Sequence, residues 1–168
     1  PVVIGAPPVT FPYPVEEPLQ WQWTQKGVPT GKTSVHWRLP TAPAEEWTLD
    51  AQLQWRQPGR TMQIRHRTRF LPSNLRSKGT HRESWVGATG AGEKQLVVAS
   101  EVDPETSRIR IVVQDPARAT RIDRFLPFDD KMVLLENQAF EHWLLIGLQL
   151  DRTDQRQFTA LIPSEYRS

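Results

Sequence analysis

The chain contains no cysteine. That excludes disulfides, cysteine-ligated zinc and a thiol nucleophile, and it leaves the compartment open, because many secreted proteins also lack cysteine. Long apolar runs are missing as well. No stretch approaches the roughly eighteen residues that a membrane-spanning helix requires. Glycine is scarce, nine residues against fifteen prolines, a balance that predicts many turns and little long helix. Charge of one sign is not in large excess either: the net charge is +2 with 24% charged residues, which gives no ground for a nucleic-acid partner. What stands out instead is tryptophan, seven in 168 residues, and rings of that size must be buried or must bind something.

A chain of 168 residues suffices for one domain with a sizeable core and is short for two. It opens on Pro1 rather than on methionine, as a protein trimmed of a leader would. Residues 1–18, PVVIGAPPVTFPYPVEEP, carry six prolines and predict an extended, polyproline-like arm ahead of a single β-rich domain over 19–168.

From Leu19 the pattern alternates with a period of two. Leu19, Trp21 and Trp23 alternate with glutamines and a threonine. Thr33, Val35, Trp37 and Leu39 alternate with Ser34, His36 and Arg38, and Leu49, Ala51, Leu53 and Trp55 obey the same rule. One face of each segment is apolar and the other polar, the pattern of a half-buried antiparallel sheet. Further strands are expected near 60–70, 81–87, 94–100, 107–113, 119–125 and 156–162, separated by turn signals such as Gln57-Pro58-Gly59 and Asp103-Pro104-Glu105-Thr106. The alternation fails from Asp129 to Leu150. There DDKMVLLENQAFEHWLLIGLQL predicts one or two short helices, capped by Asp129 or Asp130 and broken near Asn137, or a last strand entering a hairpin. The expected fold is mainly β: a curved antiparallel sheet, half-barrel or barrel-like, with one or two short helices on its concave side.

Residues 27–33 read GVPTGKT and resemble the end of a phosphate-binding loop. That motif needs four residues between its first glycine and Gly-Lys-Thr; here there are three, Val28, Pro29 and Thr30. It also needs a helix afterwards, whose N-terminus faces the phosphate. Here the chain continues as TSVHWRL, a strand pattern. The expectation is a hairpin turn over Gly27–Gly31 with no nucleotide and no other cofactor.

The opening strand, the Gly-hydrophobic-Pro-x-Gly turn and the second amphipathic strand, WQWTQKGVPTGKTSVHWRL, together with FLPSNL in mid-chain and FTALIP after the helical segment, resemble bacterial envelope domains related to the lipoprotein-localisation carriers. The resemblance implies a curved half-barrel covered by helices, whose concave face holds a lipid or is filled by the domain's own helix. It carries no catalytic residues. It also implies a periplasmic or extracellular location, with a cytoplasmic one as the alternative.

Seven arginines and one lysine fall between Asp50 and Glu83 without an intervening acid. Arg65, Arg67 and Arg69 share one strand face at a spacing of roughly 7 Å, a row that could hold an anion or pair with acids on adjacent strands. The apolar-phase residues Trp21, Trp23, Val35, Trp37, Leu53 and Trp55 are the candidate groove. The histidines His36, His66, His81 and His142 lack metal-ligand spacing, so no metal site is expected, and no nucleophile elbow occurs. Three functions are compatible with this pattern. The first is a non-catalytic binding module for a lipid, another apolar small molecule or an envelope partner's segment. The second is a structural domain with a filled core. The third is a β-barrel enzyme using His36 or His66 as base.

Overall fold

A computed structural model describes residues 15, 17–38, 46–71, 75–88, 92–152 and 157–166, so most of the Pro-rich arm and the middle of FLPSNL lie outside the described residues. Eight strands form one open antiparallel sheet in chain order: β1 (Leu19–Gln25), β2 (Val28–Arg38), β3 (Trp47–Gln57), β4 (Arg60–Phe70), β5 (Ser77–Gly87), β6 (Glu93–Asp103), β7 (Arg108–Asp115) and β8 (Thr120–Pro127). The alternating segments thus form the strands expected of them, and the mainly β, half-barrel class holds. Among the described residues a single short α-helix accompanies the sheet. No described helix is long and apolar enough to cross a membrane.

The first turn departs from expectation. Only Lys26 and Gly27 turn, both at positive φ (52° and 77°), and the strand resumes at Val28. Two such residues make the tight hairpin whose twist matches the flanking strands. Gly31 does not turn at all. It lies inside β2, where a Cβ would come within 2.6 Å of the Gln54 carbonyl oxygen on β3. The second glycine is required by close strand approach, with Thr30 bulged out of register beside it. These residues run on into β2, so no helix follows them in the chain. At Asp103 the expected turn is present: its carboxylate accepts from the Glu105 and Thr106 amides at 3.0 and 3.4 Å.

The segment after Asp129 is shorter in helix than the sequence predicts. Asp129 caps a turn rather than a helix, accepting from the Lys131 amide at 2.8 Å. A three-residue strand β9 (Met132–Leu134) comes next, and the helix α1 (Phe140–Arg152) begins only after a break at 136–139. The chain ends in β10 (Thr159–Leu161), which pairs parallel with β9, and a 3₁₀ turn at Pro163–Glu165. A hairpin closed by residues 144–150 is therefore absent; those residues are helical.

One face of the sheet is covered in two parts. Over β2–β4, Val35, Trp37, Leu49, Ala51 and Phe70 pack with Leu75 and with Leu145 of α1. Over β6 and β7, Leu96, Val98, Val102, Ile109, Ile111 and Val113 pack with Phe128, Leu134 and Leu161. Between the two clusters the covered face turns polar. Cross-strand register lines up Leu19, Val35, Ala51, His66, Arg82, Val98, Val113 and Ile122 in one row, apolar at both ends and ionisable in the middle. The adjacent row places Thr68, Thr80 and Ser100 side by side. A buried polar seam thus runs along β4, β5 and β6 between two oily halves.

Candidate functional site

Strand periodicity places His66 and Thr68 on the covered face of β4 and Arg82 opposite His66 on β5. The first turn of α1 brings Glu141 and His142 down onto them. Glu141 Oε1 lies 2.7 Å from His66 Nδ1, with both side chains buried. The carboxylate is an acceptor, so Nδ1–H of His66 donates to it. His142 is fixed on both sides. Its Nδ1 accepts the Glu136 amide at 3.0 Å, and Nε2–H donates to Thr68 Oγ1 at 2.7 Å. Burial, aided by His66 and Arg82, pushes His142 well below its ordinary value of 6.5 and keeps it neutral. The two imidazoles stack obliquely, centroids 4.5 Å apart.

Arg82 is buried and holds the break before α1. It donates to the Asn137 carbonyl at 2.7 Å, to Gln138 Oε1 at 3.2 Å and to Glu136 Oε2 at 3.4 Å. This clamp sustains Gln138 at φ 63°, a left-handed conformation uncommon for a side chain. The ligand atoms of His66, Glu141 and His142 lie within 4.8 Å of one another, the spacing of a metal site. Three of their four ring nitrogens are hydrogen-bonded within the protein: His66 Nδ1 to Glu141, and both His142 nitrogens to Thr68 and the Glu136 amide. The trio is a hydrogen-bonded strut between sheet and helix.

Beside this strut lies an apolar groove of about 530 Å³, within the range of small-molecule sites. Trp23, Leu53 and Trp55 line one side and Leu135, Ala139, Phe140 and Trp143 the other. Three of the five exposed large hydrophobic side chains among the described residues line this groove: Trp143 at 58%, Trp23 at 41% and Phe140 at 40%. Scattered exposed apolar residues are ordinary, but a converging set is not. Trp23 Nε1 donates to Thr33 Oγ1 at 2.7 Å, which fixes its ring, and Phe140 meets it edge-on at 6.2 Å.

The six groove candidates therefore divide. Trp23, Leu53 and Trp55 line the groove, and Trp21 stands behind Phe140 at 5.6 Å. Val35 and Trp37 are 0% and 1% exposed and belong to the packed core, because α1 covers that end of the sheet. The arginine row faces the other side. Arg67 grips Asp50 in a two-pronged contact at 2.6 and 3.1 Å; Arg69 pairs with Glu46 and Glu101; Arg65 lies over the Trp85 ring at 5.1 Å. The reading as cross-strand pairs accounts for these contacts. His36 sits on the outward phase opposite Asp50. Sequence reasoning did not join His66 to His142, 76 positions later, nor Glu141 to either. The available signal was polar residues, His66 and Arg82, in the apolar phase of their strands.

No protein-family model, curated protein or solved structure matches this chain.

Proposed function

We propose that this protein is a non-catalytic binding module, and that its ligand is a lipid-like or other apolar small molecule taken up in the groove between β1–β3 and the start of α1. The observation carrying the reading is the convergence of Trp23, Phe140 and Trp143, all substantially exposed, on one cleft whose floor is Leu53 and Trp55. Leaving three large rings in water forgoes about 1.5–3 kcal/mol for each ring that could be fully buried, and a ligand that covers them recovers part of it. Elsewhere on the covered face, Trp37, Leu49, Phe70, Ile109 and Ile111 are packed to 1% exposure or less and leave no comparable apolar opening among the described residues. A location outside the cytoplasm, as in the envelope domains the sequence resembles, fits this role. The same cleft suits an apolar segment of an envelope partner, which is the second reading that the exposed rings favour.

N-phenyl-1-naphthylamine, an apolar dye that brightens out of water, tests the reading directly. The protein should take up the dye, with a change in tryptophan emission, and Trp143→Ala should weaken uptake several-fold without unfolding the chain. Lipid extraction of the purified protein should yield an apolar compound. Absence of dye uptake together with an extract free of apolar compounds would refute the small-molecule reading.

A further inference from the structure

The groove's polar atoms define what its ligand must carry, an inference that rests on the groove being a ligand site. Two buried side-chain atoms of its lining have no hydrogen-bond partner: Glu136 Oε1, an acceptor, and Trp55 Nε1, a donor. Immediately beneath, a cavity of about 10 Å³ shares Leu53, Glu136 and Ala139 with the groove, and His66, whose Nε2 also lacks a partner, lines it. Such a space takes one group the size of a water molecule. Buried polar atoms without partners are uncommon and costly, on the order of 1–3 kcal/mol each, so their gathering around one cleft calls for a common explanation.

Each candidate head group can be weighed against those atoms. A carboxylate or phosphate offers only acceptors, yet Glu136 is itself an acceptor, with the second buried carboxylate, Glu141, nearby on His66. The buried cation beside them, Arg82, already donates to Asn137, Gln138 and Glu136. An ammonium offers only donors, leaving Trp55 Nε1 unmatched, and it would sit near the Arg82 guanidinium. A hydroxyl does both. It can donate to Glu136 Oε1 and accept from Trp55 Nε1. We infer that the groove selects uncharged apolar molecules that carry a hydroxyl, the chain or ring body lying among Trp23, Trp55, Phe140 and Trp143 and the hydroxyl reaching Glu136. Arg82 is a positioning residue here: it holds the 136–139 break that carries Glu136.

The test is competition for bound N-phenyl-1-naphthylamine by three ten-carbon compounds: 1-decanol, decanoate and decylamine. Decanol should displace the dye at concentrations about tenfold lower than either charged analogue, the scale of one hydrogen bond to a charged acceptor. Trp55→Phe, which keeps the ring and loses the N–H, should narrow the gap by weakening decanol. Glu136→Gln should narrow it by admitting decanoate, provided far-ultraviolet circular dichroism shows it folded; Trp55→Phe stands as the independent arm. Equal displacement by all three, or preference for decanoate, overturns the hydroxyl inference and leaves the groove reading intact. Failure of the dye to bind at all overturns the groove reading and the inference with it.

Discussion

Trp37→Ala and Trp143→Ala remove the same side chain from two places that the fold treats oppositely. Trp37 is 1% exposed, meets the Phe70 ring edge-on at 6.0 Å and 88°, and lies in the cluster with Val35, Leu49 and Leu145. Truncating a buried aromatic costs about 3–5 kcal/mol through lost transfer energy and the cavity left behind. The edge-to-face contact adds about 0.5–1.5 kcal/mol, which places the expected loss toward the upper end. Against a total stability of about 5–15 kcal/mol this is a large fraction, and in a domain of this length it lowers Tm by roughly 6–20 °C. Trp143, at 58% exposure, should cost no more than about 0.5 kcal/mol. Urea titration followed by far-ultraviolet circular dichroism is the assay, since each variant loses a fluorophore, and a shared m-value shows that the unfolding reaction is unchanged. If Trp37→Ala fell within about 1 kcal/mol of the parent, or matched Trp143→Ala, the assignment of the covered face, and with it the closed core under α1, would be wrong.

The polar parts of the molecule give two further expected outcomes. His142 is held neutral in the fold but titrates near 6.5 when unfolded, so the unfolded chain takes up a proton that the folded one refuses. Stability is untouched by this group above pH 6.5 and falls by up to about 1.4 kcal/mol per pH unit below it; His142→Gln should flatten that slope in urea titrations, and parallel slopes would show the histidine is not the cause. On the exposed face, Arg67→Ala removes a solvent-screened pair with Asp50 and should cost under about 1 kcal/mol, with parent and variant co-sedimenting alike with anionic vesicles. A steep salt-dependent binding that the variant lacks would restore the arginine row as an anion site.

The strands were legible in the sequence because a sheet with one covered face forces a period of two. WQWTQ, TSVHWRL and WTLDAQLQW state which residues turn inward whatever packs upon them. The turn at Pro58-Gly59 and the Asp103 turn were legible for a local reason, since backbone φ and nearby side-chain acceptors decide them. Gly31 shows where that logic stops. Its requirement comes from a carbonyl on β3, more than twenty positions away, and nothing in GVPTGKT distinguishes it from a turn glycine. The segment from Asp129 is another limit: Met132–Leu134 is a strand only because β10 supplies a partner, and so short a run carries no period of its own.

Which inward residues form core and which form groove was settled by tertiary structure alone. Val35, Trp37, Leu53 and Trp55 share one phase and one composition, but α1 lies over the first two, while the break at 136–139 leaves the others beside open space. The same holds for the seam. The sequence put His66 and Arg82 in the apolar phase of adjacent strands; only the fold supplied Glu141, Glu136 and His142 to pair with them. Alternation is a property of one strand and its neighbours, so a single sequence can carry it. The covering of a sheet depends on where a distant helix starts, and that position is fixed by hydrogen bonds between residues more than fifty positions apart.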